Sequence, residues 1–246
     1  MTSTSDEDDA YSIRYVAFVD ILGFSEIVVR NVGPDRGKQR KALVRLLQVA
    51  GDRGIGKIFG DDFRFQQFSD SIIMSENVSA LGLWNLLDAV SDLADELLFK
   101  GLLIRGGIAK GHLHHDDKVV FGPAFLDAYR IESTISDFPR VVLSSEVYKD
   151  ALDFKEESDA IRRLIKLADD GPAFVHVLAD ISKEKPTRKR WHSVGPIITR
   201  LLQNAMHDPR QYKKLKWLAV YWNETVQGTS FAPVPLRDDR RLHGTP

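Results

Sequence analysis

Two carboxylates carry the first chemical signal in this chain. Asp20 follows the apolar run Tyr15-Val16-Ala17-Phe18-Val19 and precedes Ile21-Leu22-Gly23. Asp70 stands in Phe68-Ser69-Asp70-Ser71, between two strand-like stretches, Phe63 to Phe68 and Ile72 to Met74. A buried strand that delivers an acid to its end, and a hairpin with an acid at its tip, can bring two carboxylates together. Such a pair suits hard divalent cations, Mg²⁺ or Mn²⁺, which prefer oxygen ligands and keep positions for substrate phosphates. Two ions about 3.5–4 Å apart can activate an attacking oxygen and stabilise a leaving phosphate. The turn at Gly23 would bring main-chain groups of Ile21 to Phe24 near a triphosphate. Arg130 is the candidate to neutralise charge building on a phosphoryl group. Plainer roles stand beside these. Asp20 can cap the next helix, Asp70 can be a turn residue, and Arg130 can be a surface residue paired with Asp127 or Glu132.

The elements that would position these groups follow from periodicity. Tyr15 to Val19 predicts a strand buried on both faces, and Glu26 to Asn31 a short helix. Gly37 to Ala50 has helical spacing, and Gly51 to Asp61 is a Gly- and charge-rich connection. Leu83, Leu86, Leu87, Val90, Leu93, Ala94, Leu97 and Leu98 make Leu81 to Phe99 an amphipathic helix. Leu102 to Gly111 predicts a strand, His112 to Lys118 a polar turn, and Val119 to Phe121 the return strand. Pro123 opens a helix running to about Thr134, where a first turn tolerates proline. Arg140 to Leu143 predicts a strand, with Ser144 capping the next helix. A short helix at 160–163 and a hairpin through Asp169-Asp170-Gly171 complete the set, leaving a basic linker and two helices, 194–206 and 209–226. This order predicts an α+β sheet with helices on one face. The expected domains are a disordered acidic tail (1–11), a catalytic domain (12–180), a linker with a two-helix extension (181–226) and a tail (227–246).

The composition narrows the class. Of 246 residues, 43% are hydrophobic and 28% charged, enough apolar content for a real core. A net charge of −1 gives no whole-surface footprint for nucleic acid or membrane, so neither is expected as a partner. With no cysteine there is no thiolate metal site, disulfide or Cys nucleophile. The polar, acidic start is not a targeting peptide, and no apolar run approaches the ~18 residues of a membrane span; a cytoplasmic location is expected. His112, His114 and His115 crowd Asp116 and Asp117, yet a solvated turn explains them better than a metal cluster. Phe63, Phe65 and Phe68 suit the core, or the wall of a base pocket.

The ordered motifs resemble those of the class III nucleotide cyclases. Phe18-Val19-Asp20-Ile21-Leu22-Gly23-Phe24-Ser25 looks like their F-x-D-I-x-G-F-[ST] signature. Phe68-Ser69-Asp70-Ser71 resembles their Gly-Asp hairpin, and Arg105-Gly106-Gly107-Ile108 through Gly111 their R-x-G-I-x-x-G strand. Phe121-Gly122 through Arg130-Ile131-Glu132-Ser133 resembles their segment around the catalytic arginine, and Val141 to Ser144 their closing strand. The matches span residues 15–180. The two C-terminal helices, with Lys216-Trp217-Leu218 and Tyr221-Trp222-Asn223, look more like the bacterial branch that makes cyclic pyrimidine nucleotides in anti-phage (Pycsar) signalling.

The resemblance implies a ferredoxin-like cyclase domain, an antiparallel-rich sheet with helices packed on it, followed by a C-terminal helical extension. It implies two Mn²⁺ or Mg²⁺ ions held by Asp20 and Asp70, with the Ile21 carbonyl as a further ligand. Arg130 would stabilise the pentacoordinate phosphorus. Gly23 and Phe24 would approach the triphosphate, Gln66 and Val119 take the base-reading positions beside Phe68, and Lys166 could reach the triphosphate. Family members are head-to-tail dimers, so a homodimer would hold two shared sites, each with the acids of one protomer and Arg130 of the other. A separate effector protein would sense the product. Leu126 stands where purine cyclases carry an Asn, and Gln66 with Val119 matches neither an adenylate nor a guanylate pattern. Gln66 can both donate and accept, so it can read a pyrimidine edge. The expected activity is conversion of UTP to 3′,5′-cyclic UMP. Cyclic CMP, a silent nucleotide-sensing module and an unusual purine cyclase remain alternatives.

Overall fold

The computed structural model describes residues 11–30, 32, 34–38, 41, 44, 61–154, 158–182 and 189–236. The expected tail at 1–11 (bar Tyr11), most of the helix at 37–50, the connection to Asp61, the middle of the basic linker and the end of the C-terminal tail lie outside the described residues. The elements are β1 (Ser12–Ile21), α1 (Phe24–Arg30), β2 (Arg64–Phe68), β3 (Ser71–Asn77), α2 (Ala80–Leu98), β4 (Ile104–His115), β5 (Val120–Phe121), α3 (Pro123–Thr134), β6 (Val141–Leu143), α4 (Ser145–Asp153), α5 (Ser158–Arg163), β7 (Ile165–Leu167), β8 (Ala173–Val175), α6 (Val194–Asn204) and α7 (Pro209–Thr225). Contacts divide the chain into two compact units, one of Met1–Leu97 with Leu102–Val177, the other of Leu98–Gly101 with Leu178–Pro246.

Among the described residues the first unit is an α+β sheet of eight strands in the order β2-β3-β1-β4-β6-β8-β7, with β5 paired to β4. Every pairing is antiparallel except β4 with β6. The alternation of β1 explains its central place. Tyr15, Ala17, Val19 and Ile21 face one core with Leu83, Leu86, Leu87 and Val90 of α2 and Val147 and Ala151 of α4. Val16 and Phe18 face a second core with Ala124, Ala128 and Ile131 of α3. Helices therefore cover both faces of the sheet, not the one face the element order predicts. A strand apolar on both sides needs a cover on each.

Local signals hold at several ends. Ser144 caps α4, its Oγ accepting from the Val147 N–H at 3.2 Å. β4 is longer than expected, and His112, His114 and His115 lie in it rather than in a turn; the turn to β5 is Asp116 to Val119. Buried Leu113 and His115 alternate with less buried His112 and His114, so the strand period continues through the polar run.

Gly107 sets how closely α3 lies on the sheet. A Cβ there would stand 2.3 Å from the Ala128 carbonyl oxygen and 2.7 Å from Ile131 Cβ. Gly107→Ala should therefore push α3 off β4 and cost about 1–3 kcal/mol, measured as a lower urea midpoint with an unchanged slope.

In the second unit Trp191, Ile198, Leu218 and Trp222 are buried. Asp208 caps α7 by accepting from the Arg210 and Gln211 N–H groups, each at 3.0 Å. Trp222 Nε1–H donates to the Ala232 carbonyl at 3.1 Å, and Asn223 bonds Val234, so the chain after α7 lies back along that helix. No described helix is long and apolar enough to cross a membrane.

Candidate active site

Asp20 is the penultimate residue of β1, opposite Ser71 on one side and Arg105 on the other. Asp70 sits in the two-residue turn joining β2 to β3, where Ser69 takes a left-handed conformation, φ 57°. The Ile21 N–H donates to the Asp70 carbonyl at 3.3 Å and fixes the turn against the end of β1. The β1–β3 register and this bond set the two acids side by side. Burial pushes the Asp20 carboxyl up to about 6; the charges of Asp70 and Glu132 add to this and Arg105 opposes it. After Ile21 the chain turns at Gly23, φ 74°, into α1, where the Phe24 ring is buried in the core and leaves only its main chain to a ligand.

This donor set fits a hard divalent cation. Among the described residues no three His, Cys, Asp or Glu side chains cluster to hold a metal. Two carboxylates with a main-chain oxygen such as that of Ile21 are what an ion uses when it keeps water and phosphate as its other ligands. Because Asp20 is raised from 3.8 to about 6, the folded chain binds its proton more tightly than the unfolded chain. The stability this group contributes is complete at low pH and is lost as pH rises through about 6. A cation competes with that proton, so Mn²⁺ should raise the melting temperature more at about pH 7.5 than at about pH 5.5. Thermal unfolding at both values, with EDTA as the blank, checks this.

The other predicted residues fall in three places. Gln66 and Val119 approach each other across β2 and the β4–β5 turn. Gln66 Nε2 donates to the Lys118 carbonyl at 3.3 Å, while its Oε1 is buried with no partner. The Val119 side chain is half exposed, and its N–H donates to Asp116 Oδ1 at 2.7 Å. Phe63 is core, whereas Phe68, beside the acid turn, is 78% exposed. Lys166 pairs with Phe174 on β7, the edge strand opposite β2 and four strands from β1, about 19 Å at ~4.8 Å per strand.

Arg130 is exposed on α3 and holds Asp127 Oδ1 at 2.7 Å, the surface pairing that its spacing also allowed. It borders a cavity of about 300 Å³ with Lys110, Ser144, Ser145 and Glu146. Lys110 Nζ binds Asp150 at 2.8 Å and Glu146 at 3.5 Å. Lys110 lies five residues along β4 from Arg105, the partner of Asp20, or about 17 Å at ~3.4 Å per residue.

No protein-family model matches the chain, and no curated protein does. Solved structures give partial likenesses. The adenylyl cyclase CyaB from P. aeruginosa is 17% identical, with a TM-score of 0.47 over 67% of this chain and 92% of that one. The monomeric guanylyl cyclase domain of the RhoGC fusion protein from the aquatic fungus Blastocladiella emersonii is 18% identical, TM-score 0.49, over 68% and 95%. An adenylate/guanylate cyclase/hydrolase from Silicibacter pomeroyi is 17% identical, TM-score 0.44, over 67% and 95%. At these levels the likenesses assign no activity to this chain.

Two charged groups beside the acids escape the sequence patterns as site residues. Arg105 reaches Asp20 Oδ2 at 3.9 Å with Nε and Glu132 Oε1 at 2.6 Å with NH2. Glu132 is 3% exposed. Its signal is helical spacing, since 124, 128 and 132 fall on one face of α3 and the first two are buried alanines. The histidines do not gather. His114 meets Asp116 at 3.1 Å, while buried His115 meets Ser75 Oγ at 2.8 Å and is held down to about 4, chiefly by burial.

Proposed function

We propose that the chain is a metal-dependent nucleotidyl cyclase that converts UTP to 3′,5′-cyclic UMP and pyrophosphate as a homodimer. The observation that carries it is the Asp20–Asp70 pair, two carboxyls set side by side where the end of a central strand meets the β2–β3 turn, with Asp20 raised to about 6. Asp20, Asp70 and the Ile21 carbonyl would hold Mn²⁺ or Mg²⁺. The bound ions would supply the positive charge that favours ionisation of the ribose 3′-hydroxyl and offsets charge on the leaving pyrophosphate. The 3′-oxygen forms its bond to the α-phosphorus as the bond from that phosphorus to the bridging oxygen breaks; the hydroxyl proton passes to solvent. Gly23 lets the backbone turn close to the triphosphate. Arg130 places its guanidinium where charge develops on the phosphoryl oxygens.

Arg130 borders a cavity at Lys110, five residues along β4 from the strand partner of Asp20, so in this reading a second copy completes each site. That separation supports a dimer with two shared sites, in which Lys166, four strands from β1, would serve the partner's nucleotide. Gln66 supports a pyrimidine. Its amide now holds the Lys118 carbonyl through Nε2 and, turned toward a base, would offer both a donor and an acceptor to a pyrimidine edge. Cytidylate cyclisation, with the N4 amino group as donor, is the near alternative. The anti-phage role and a separate effector for the product rest on the sequence resemblance alone. A second reading, a catalytically silent nucleotide-binding module, is favoured by Leu126, an exposed apolar side chain where the purine cyclases carry an Asn.

Incubating the purified protein with UTP, CTP, ATP or GTP and Mn²⁺, and resolving products by mass, tests this. Cyclic UMP is the expected product. Product from ATP or GTP would overturn the base assignment, and nucleotide binding without any product would favour the silent module.

A further inference from the structure

We propose that Glu132 is a positioning residue that keeps Arg105 off the Asp20–Asp70 pair and so leaves that pair open to a cation. The inference rests on reading the two acids as the metal site. Arg105 stands directly across from Asp20 in the β1–β4 register, on the face covered by α3. Its guanidinium lies between two carboxylates, with Glu132 Oε1 at 2.6 Å and Asp20 Oδ2 at 3.9 Å. The shorter contact is also the drier one, since the Glu132 side chain is 4% exposed and that of Asp20 23%. An ion pair strengthens as water is excluded, so Glu132 outcompetes Asp20 for the arginine.

The backbone arranges this competition. Gly106 and Gly107 follow Arg105 in β4, and the missing side chain at 107 brings α3 down until Ala128 and Ile131 touch the strand. Glu132, one residue on, is thereby sunk beside Arg105. A longer path to the helix would leave Arg105 with Asp20 and Asp70 as its nearest anions. It would then fill the place a cation needs, adding one positive charge where two ions of the same sign must bind. Neighbours of metal ligands typically change metal affinity about 10–100-fold when lost.

The test is Mn²⁺ binding to the full chain, read from the electron paramagnetic resonance signal of free Mn²⁺, so that turnover is not needed. Glu132→Gln should weaken binding about tenfold. Part of that loss could come from removing a negative charge near the site, and a double-mutant cycle separates the two causes. In an Arg105→Gln background no guanidinium is left to move, so adding Glu132→Gln should cost less than about threefold. The double variant buries neither charge, which keeps the test open if Glu132→Gln alone does not fold; it should bind Mn²⁺ within about threefold of wild type. Equal losses in both backgrounds, or no loss in either, would overturn the proposal while the metal site stands. Absence of Mn²⁺ binding by the wild-type chain would overturn the metal reading, and this inference with it.

Discussion

Asp20→Asn is expected to remove cyclic nucleotide formation by at least about a thousandfold, and at the same time to stabilise the metal-free chain above pH 6. Both effects have one origin. Burial raises Asp20 to about 6, and the charges of Asp70 and Glu132 contribute to that rise. At neutral pH, without a cation, that arrangement is repulsive. The amide removes the charge and keeps the shape. It also removes a ligand that binds a divalent ion as an anion. Asp70→Asn should behave alike in turnover. The check is paired: product formation with Mn²⁺, and melting temperature in EDTA. Loss of activity with a lower melting temperature would instead mark Asp20 as a structural group.

Arg130→Ala should lower turnover about 10²–10³-fold while leaving Mn²⁺ binding intact. The side chain is exposed and its partner Asp127 is too, so the pair contributes little to stability, and the variant should fold. Its cavity is bounded by Lys110 on β4, well along the strand from the acids, so nothing in the metal site should respond. A split of this kind, with chemistry lost and metal retained, separates a transition-state role from a structural one. Arg130→Lys should recover only part of the rate, because an ammonium cannot reproduce the planar fork.

Much of the scaffold is legible in the sequence because its signals are local. The run from Tyr15 to Val19 announces a strand covered on both sides; Ser69-Asp70 marks the hairpin; the leucine spacing of α2 and Pro123 at the head of α3 define those helices. Two readings fail for non-local reasons. Element order does not say which face each helix takes, and α3 covers the side opposite α2 and α4. The polar run His112 to His115 looks like a turn, yet Ser75 gives His115 a buried partner, and β4 continues. The site is uneven in the same way. That Asp20 and Asp70 meet follows from strand ends and a tight hairpin. Lys166 is adjacent to neither, because its distance is set by a strand order that depends on the crossover into β6. Glu132 is hidden for another reason. A glutamate on a helix usually faces water, and only the close approach at Gly107 turns this one inward.

The most direct measurement of the account is to mix Asp20→Asn and Arg130→Ala proteins, each inactive by itself, and assay UTP cyclisation after subunit exchange. If each site takes its acids from one copy and its arginine from the other, half of the dimers are mixed and each carries one intact site. Activity should then return to about a quarter of wild type. No recovery, with exchange verified by mass, would contradict the shared site.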